Sequence, residues 1–422
     1  MSIFILFATF ALLVFLSVPI AVALGLATML SIASSGGLSL DFLVSTLVTS
    51  VDSFPIMAVP FFILAGDIMG SGGISQRLVN FANSLVKNLT GGFAIASIIT
   101  CMFFAAISGS GPATVAAVGG IMIPAMIKYG YDKAFATAVV TAAGAIGVMI
   151  PPSIPMVMYG VSASTSIGDL FIAGVIPGML VSFCLMAYAY YYSKKHGYKG
   201  SSEPFSFKEV WAQFKHAQLA LLIPVIILGG IYGGIFTPTE ASVVAVVYGL
   251  IVSLFFYKEI TVADLPAIFT KSVITSVIVL IIVGTATAFG KYLALEQIPT
   301  QIANAMLAFS ESKVVFILLM IALLLVVGCF METVAAIIIL TPILVPVATL
   351  FGFHPVHVGI IMVVTLAIGF ITPPLGLNLF VGSSVSGVSV ERLSKAIIPF
   401  FIAMLVALAL VVFIPQLTLA LI

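Results

Sequence analysis

Gly147-Val148-Met149-Ile150-Pro151-Pro152-Ser153 and Gly369-Phe370-Ile371-Thr372-Pro373-Pro374 are one pattern written twice. Each interrupts an apolar run with a glycine and then with two consecutive prolines. The two copies belong to a longer register. Pro124, Gly130, Gly147, Pro151, Pro152, Gly160 and Pro177 match Pro346, Gly352, Gly369, Pro373, Pro374, Gly382 and Pro399, every pair 222 residues apart. Upstream, Thr114-Val115-Ala116-Ala117 recurs as Thr333-Val334-Ala335-Ala336 with a three-residue slip. Glycine and proline set backbone shape, so a repeat written in them is a repeat of broken geometry. In a membrane chain, paired interruptions in two halves point to a transport site at the repeat interface.

Composition makes this a membrane chain. Hydrophobic residues are 62% of the 422 and charged residues 7%, against about a quarter charged in soluble domains. There is room for roughly ten to twelve spans of about 20 residues. The net charge of +1 implies no nucleic-acid partner. Cys101, Cys184 and Cys329 lie far apart in apolar runs and read as packing residues. The run Ile3 to Ile32 is too long for a signal segment and lacks a basic flank, so it reads as one retained span.

The expected fold is an all-α polytopic membrane protein with inverted repeats, two re-entrant helical hairpins and two broken helices. N-terminal spans and an amphipathic arm helix occupy 1–93, and a first repeat core 94–193. A linker follows over 194–216, then spans over 217–313, a second repeat core over 314–395 and a C-terminal span over 396–422. Within the arm, Leu78, Val79, Ala82, Leu85, Val86 and Leu89 fall on one helical face, opposite Arg77, Asn80, Ser84 and Lys87. The segment Ser193 to His216 carries five lysines against two glutamates, which places it in the cytoplasm. Counting back, Lys128 and Lys133 are cytoplasmic too. Half two has no Lys or Arg between Phe351 and His357, but Arg392 and Lys395 follow its broken helix. The charge pattern flips, which makes the repeat inverted.

The residues that could carry chemistry cluster at the breaks. Ser108-Gly109-Ser110-Gly111-Pro112-Ala113-Thr114 cannot continue a clean helix. A turn there exposes carbonyls and hydroxyls, hard oxygen ligands for a small cation such as Na⁺; the alternative is close helix packing by small residues. The twin prolines free carbonyls one turn back, and Asn378 follows the second pair. Glu332, at the second turn, either balances cation charge or anchors the turn. Asp67 and Glu240 stand near span ends, where capping, exposure and function are all open. Gly284 to Lys291 imitates a phosphate loop with the wrong glycine spacing, so no nucleotide is expected. His354 and His357 read as structural. No nucleophile–base set or metalloprotease motif occurs, so the chain does not read as an enzyme.

Five motifs together resemble one family. They are Phe61-Phe62-Ile63-Leu64-Ala65-Gly66-Asp67, the Ser108–Thr114 stretch, Ile150-Pro151-Pro152-Ser153, Thr237-Pro238-Thr239-Glu240-Ala241 and Thr372-Pro373-Pro374-Leu375-Gly376. Over essentially its full length the chain is similar to the large membrane subunit of tripartite ATP-independent periplasmic (TRAP) transporters. The resemblance implies a bacterial inner-membrane importer of organic acids, of the sialic acid or C4-dicarboxylate class, driven by two or more Na⁺. It implies elevator motion of the repeat cores against a scaffold made of 1–93 and 217–313. It also implies two partners, a small four-helix membrane subunit (Q), here expected as a separate chain, and a periplasmic substrate-binding protein (P). One Na⁺ site would use Ser108, Gly147, Ile150 and Pro152, and a second Gly328, Gly369 and Thr372. Substrate would lie near Ser110, Ser153 and Asn378. No basic residue falls in these motifs, so the anion would be held by hydroxyls, amides, helix N-termini and sodium. The alternatives are another inverted-repeat symporter or channel that needs no binding protein, and, further off, an intramembrane enzyme.

Overall fold

The computed structural model describes residues 2–35, 39–200, 205–309 and 312–422. Residues 201–204 of the expected linker lie outside them. Among the described residues every regular element is helical, and nine helices are long and apolar enough to cross a membrane. The chain is a polytopic, all-helical membrane protein.

The N-terminal apolar run departs from the expected single span. It forms α1 (Ser2–Phe15) and α2 (Ile20–Ser35), followed by α3 (Leu40–Val51). The cause is Pro19, which lacks an amide and pushes the residue before it out of helical conformation. Ser17 takes a left-handed φ of 60° in the same link. A 3₁₀ turn then leads into α4 (Ala58–Ser71) and α5 (Ile74–Val86).

Helix α5 is amphipathic, but its faces differ from those read in the sequence. Leu78, Val79 and Ala82 are buried, whereas Leu85 and Leu89 are exposed and Ser75 and Ser84 are buried. The reason is that α5 is gripped on two sides, by α6 (Gly92–Ser108) and α11 (Phe207–Tyr232). Lys87 Nζ sits 2.7 Å from Glu209 of α11, and its side chain is only 8% exposed. Arg77 pairs with Glu259 at 3.2 Å and lies 3.8 Å over the Tyr257 ring.

After α6 come α7 (Gly111–Lys128), α8 (Lys133–Gly144), α9 (Ile154–Ser162) and α10 (Ile167–Lys195). Then follow α11, α12 (Pro238–Ile251), α13 (Leu265–Leu295) and α14 (Ile298–Phe309). The order of α6–α10 returns as α15 (Lys313–Phe330), α16 (Thr333–Leu350), α17 (Pro355–Gly369), α18 (Leu377–Ser386) and α19 (Val390–Phe413), before the short α20 (Gln416–Leu419). Matching positions behave alike. Gly130 and Gly352 end α7 and α16 with φ of 84° and 77°, a conformation that a side chain resists. Asp132 and His354 then cap α8 and α17, accepting from Phe135 N at 3.0 Å and Val356 N at 3.3 Å. Both Pro151-Pro152 and Pro373-Pro374 peptide bonds are cis.

The two sets of helices interlock. α7 packs on α18, and α16 packs on α9. Tyr159 of α9, fully buried, donates its hydroxyl to Pro355 O at the start of α17 (2.6 Å). In return Asn378 of α18 donates Nδ2 to Thr141 O of α8 (3.3 Å). His357 is buried against Thr418, 2.7 Å from its hydroxyl. It lies inside α17 rather than in a loop. The phosphate-loop imitation at 284–291 is continuous helix within α13, and Gly284 gives Leu47 room to approach.

Candidate functional site

A cavity of about 510 Å³ lies among α4, the α6–α7 turn, the break after α8, α13 and the start of α16. Its walls are mostly apolar, with Ile63, Val148, Ile278, Val279 and Phe370 among them. The polar groups facing it are few. They are Asp67 from α4, Ser108 and Ser110 from the turn, Lys271 and Thr275 from α13, and Glu332. A small, largely apolar chamber with a few convergent polar groups is the usual form of a small-molecule site.

The α6–α7 turn is held by its own hydroxyls. Ser108 Oγ is 3.0 Å from Thr114 Oγ1, which donates to Ser110 O at 2.7 Å. The first break packs directly on this turn. A Cβ built on Gly147 would stand 2.5 Å from Ser110 O and 2.6 Å from Thr114 Oγ1, and one on Gly109 would meet Pro152 O at 3.1 Å. Thus Ser108, Gly147 and Pro152 belong to one small, oxygen-rich neighbourhood, with Ile150 in the same break. The second group is assembled in the same manner. A Cβ on Gly369 would stand 2.6 Å from Gly328 Cα. Thr372 N donates to Gly369 O at 3.0 Å, and its hydroxyl donates to Ile368 O at 2.9 Å. Both neighbourhoods offer neutral carbonyl and hydroxyl oxygens, a donor set that suits Na⁺ better than a transition metal. Among the described residues there is no cluster of three or more His, Cys, Asp or Glu.

Of the three expected substrate residues, only Ser110 lines the cavity. Ser153 is fully buried; its hydroxyl donates to Val148 O at 2.6 Å and takes a long contact from Met156 N, so it caps α9. Asn378 is fully buried at the α8–α18 contact. The acids also take definite places. Glu332 Oε2 accepts from Val334 N at 2.8 Å and Ala335 N at 3.3 Å, capping α16 while facing the cavity. Glu240 closes a capping box with Thr237 at the exposed start of α12. Asp67 also faces the cavity, where it pairs with Lys271, Nζ to Oδ1 2.6 Å. Sequence reasoning missed Lys271, because it lies outside every motif. A lysine within a 31-residue apolar helix was the available signal.

Apolar helices around a small cavity, with interrupted helices at its wall, are the architecture of a membrane transport protein. The comparisons specify which kind. Residues 7–417 match the family model described as "Tripartite ATP-independent periplasmic transporter, DctM component", and the chain belongs to that family. It is 51% identical over 411 residues to the isethionate TRAP transporter permease protein DctMQ of Oleidesulfovibrio alaskensis, spanning 97% of this chain and 65% of that one. It is 38% identical over 435 residues to the C4-dicarboxylate large permease DctM of Rhodobacter capsulatus, covering 100% and 99% of the two chains. It is 37% identical over 415 residues to the sialic acid permease SiaT of Haemophilus influenzae, covering 98% and 67%. In structure it is similar to the YdaH transporter of Alcanivorax borkumensis, with a TM-score of 0.62 at 16% identity over 89% and 88% of the chains. That likeness concerns the fold alone.

Proposed function

We propose that this chain is the large subunit of a Na⁺-coupled importer that brings a small organic-acid anion across the bacterial inner membrane. What carries the reading is the meeting of the Ser108–Thr114 turn with the Gly147–Pro152 break at the wall of the cavity. There, Ser108, Gly147, Ile150 and Pro152 would hold one Na⁺, and Gly328, Gly369 and Thr372 a second. Bound sodium would supply positive charge beside the anion; the chain's own part is to fix the oxygen donors and the largely apolar cavity wall. The constant 222-residue register and the flipped loop charges support inverted repeats, with α6–α7 and α15–α16 as re-entrant hairpins that move against α1–α5 and α11–α14.

The named substrates of the relatives support the anion class: isethionate, C4-dicarboxylates and sialic acid. The most identical of those named here acts on a sulfonate, so isethionate joins the two classes expected from the sequence. DctMQ and SiaT, of which the chain covers 65% and 67%, support a small Q-type membrane subunit as partner. A periplasmic binding protein completes the proposed assembly. The test is uptake of isethionate, succinate and N-acetylneuraminate into proteoliposomes holding the membrane subunits, with candidate binding proteins and an imposed Na⁺ gradient. Saturable uptake of one of them that collapses when K⁺ replaces Na⁺ is expected. Na⁺-independent uptake, or single-channel conductance, would overturn the proposal.

A further inference from the structure

Lys271 is the one basic side chain among the described residues lining the cavity. It projects from α13, with its side chain 73% exposed, and its Nζ lies 2.6 Å from Asp67 Oδ1. Asp67 is only 17% exposed, and its other oxygen, Oδ2, accepts from Ser272 Oγ at 2.7 Å. The two ends of this pair are therefore held unequally. Asp67 keeps a hydrogen-bond partner of its own if the lysine leaves. Lys271 has a flexible four-carbon stem and three donor hydrogens, and it opens onto the chamber.

The charge around the chamber gives this arrangement a direction. Asp67, Glu332 and Lys271 are the charged groups on its wall. The Glu332 carboxylate is committed to the amides of Val334 and Ala335. An entering anion would meet two carboxylates and a lysine already neutralised by one of them. The chamber can offer a full positive charge from the chain only if Lys271 changes partner. We propose that Lys271 is the anion-recognising residue of this site, and that it exchanges the Asp67 carboxylate for the carboxylate or sulfonate of the transported acid. Asp67, steadied by Ser272, is its resting partner and positions it between cycles. This rests on the reading of the chain as an organic-anion carrier, and it departs from the expectation that the anion is held without a basic side chain.

The test is equilibrium binding of isethionate, succinate and N-acetylneuraminate to the purified membrane complex at fixed Na⁺. The wild type, Lys271→Gln, Lys271→Arg, Asp67→Asn and the Lys271→Gln/Asp67→Asn double variant are compared, with thermal melting as the folding control. Losing a charge-assisted contact should weaken binding about tenfold or more in Lys271→Gln, with Lys271→Arg within about threefold of wild type. Asp67→Asn should tighten binding, and by more with Lys271 present than in its absence. A purely structural ion pair predicts the opposite, namely that Asp67→Asn and Lys271→Gln weaken binding alike. That result, or unchanged affinity in a folded Lys271→Gln, overturns the inference while leaving the carrier reading intact. A wild-type complex that binds none of the three anions overturns both.

Discussion

Gly328 and Gly369 touch backbone to backbone: a Cβ on Gly369 would lie 2.6 Å from both Cα and C of Gly328. No side chain fits between α15 and the end of α17 here. The matching position in the first half, Gly147, is equally closed, by Ser110 O and Thr114 Oγ1. The glycines thus let each break pack closely on its neighbour, the α6–α7 turn in one half and the end of α15 in the other.

Gly147→Ala and Gly369→Ala should each push a break away from its turn. Overpacking of this kind costs about 1–3 kcal/mol. We expect lower melting temperatures and a Na⁺ dependence of transport shifted to higher concentration. Gly120→Ala is the control: nothing lies within 4 Å of its added Cβ, and alanine in a helix gains about 0.5–1 kcal/mol over glycine. Wild-type Na⁺ half-saturation in both break variants would separate these glycines from the sodium sites.

Glu332 can be assigned between its two expected roles by comparing two substitutions. As a cap it needs an acceptor oxygen and no charge. Glu332→Ala should cost about 0.5–2 kcal/mol, and Glu332→Gln should recover most of that in a melting experiment. If the glutamine variant melts like wild type yet transports with a weakened Na⁺ dependence, the carboxylate charge matters as well as the cap.

Tyr159→Phe removes one buried hydroxyl from the interlock, leaving Pro355 O without that donor. A loss of about 1 kcal/mol of stability is expected, with Na⁺ half-saturation unchanged, since Tyr159 is outside both oxygen-rich neighbourhoods. The ion pair between Arg392 and Asp132 should matter less. Its side chains are 62% and 42% exposed, and exposed pairs are worth about 0–1 kcal/mol. Arg392→Gln should therefore melt close to wild type.

The inverted repeat can be examined by impermeant thiol labelling of intact spheroplasts, in a background lacking Cys101, Cys184 and Cys329. His357 is unsuitable as a probe, because it is buried against Thr418. Lys133 and His354 are both exposed. We expect label at a cysteine replacing His354 and none at one replacing Lys133. Label at both, or at 133 alone, would sink the inverted arrangement.

The breaks were legible in the sequence because glycine and proline act on the backbone at their own position. The register of 222 residues needed no knowledge of packing. What escaped depends on neighbours distant in sequence. Asp67 and Lys271 meet across 204 positions, and nothing local to either announces the other. Ser153 and Asn378 looked available as polar residues beside breaks. Whether a hydroxyl faces a chamber or is spent on a carbonyl five residues back is decided by the turn geometry, which residue type does not reveal. The faces of α5 went astray for a related reason: periodicity finds one apolar stripe, and this helix is covered from two directions.

The crossed contacts of Tyr159 with Pro355 and of Thr141 with Asn378 also bear on how the protein is made. The partners are 196 and 237 residues apart. At the usual pace of a ribosome, about 5–20 residues per second, the first broken helix emerges roughly ten to fifty seconds before the surfaces that receive it. For that interval its interrupted backbone has no second half to lean on. The early helices or the insertion machinery must shelter it from lipid until α17 and α18 arrive.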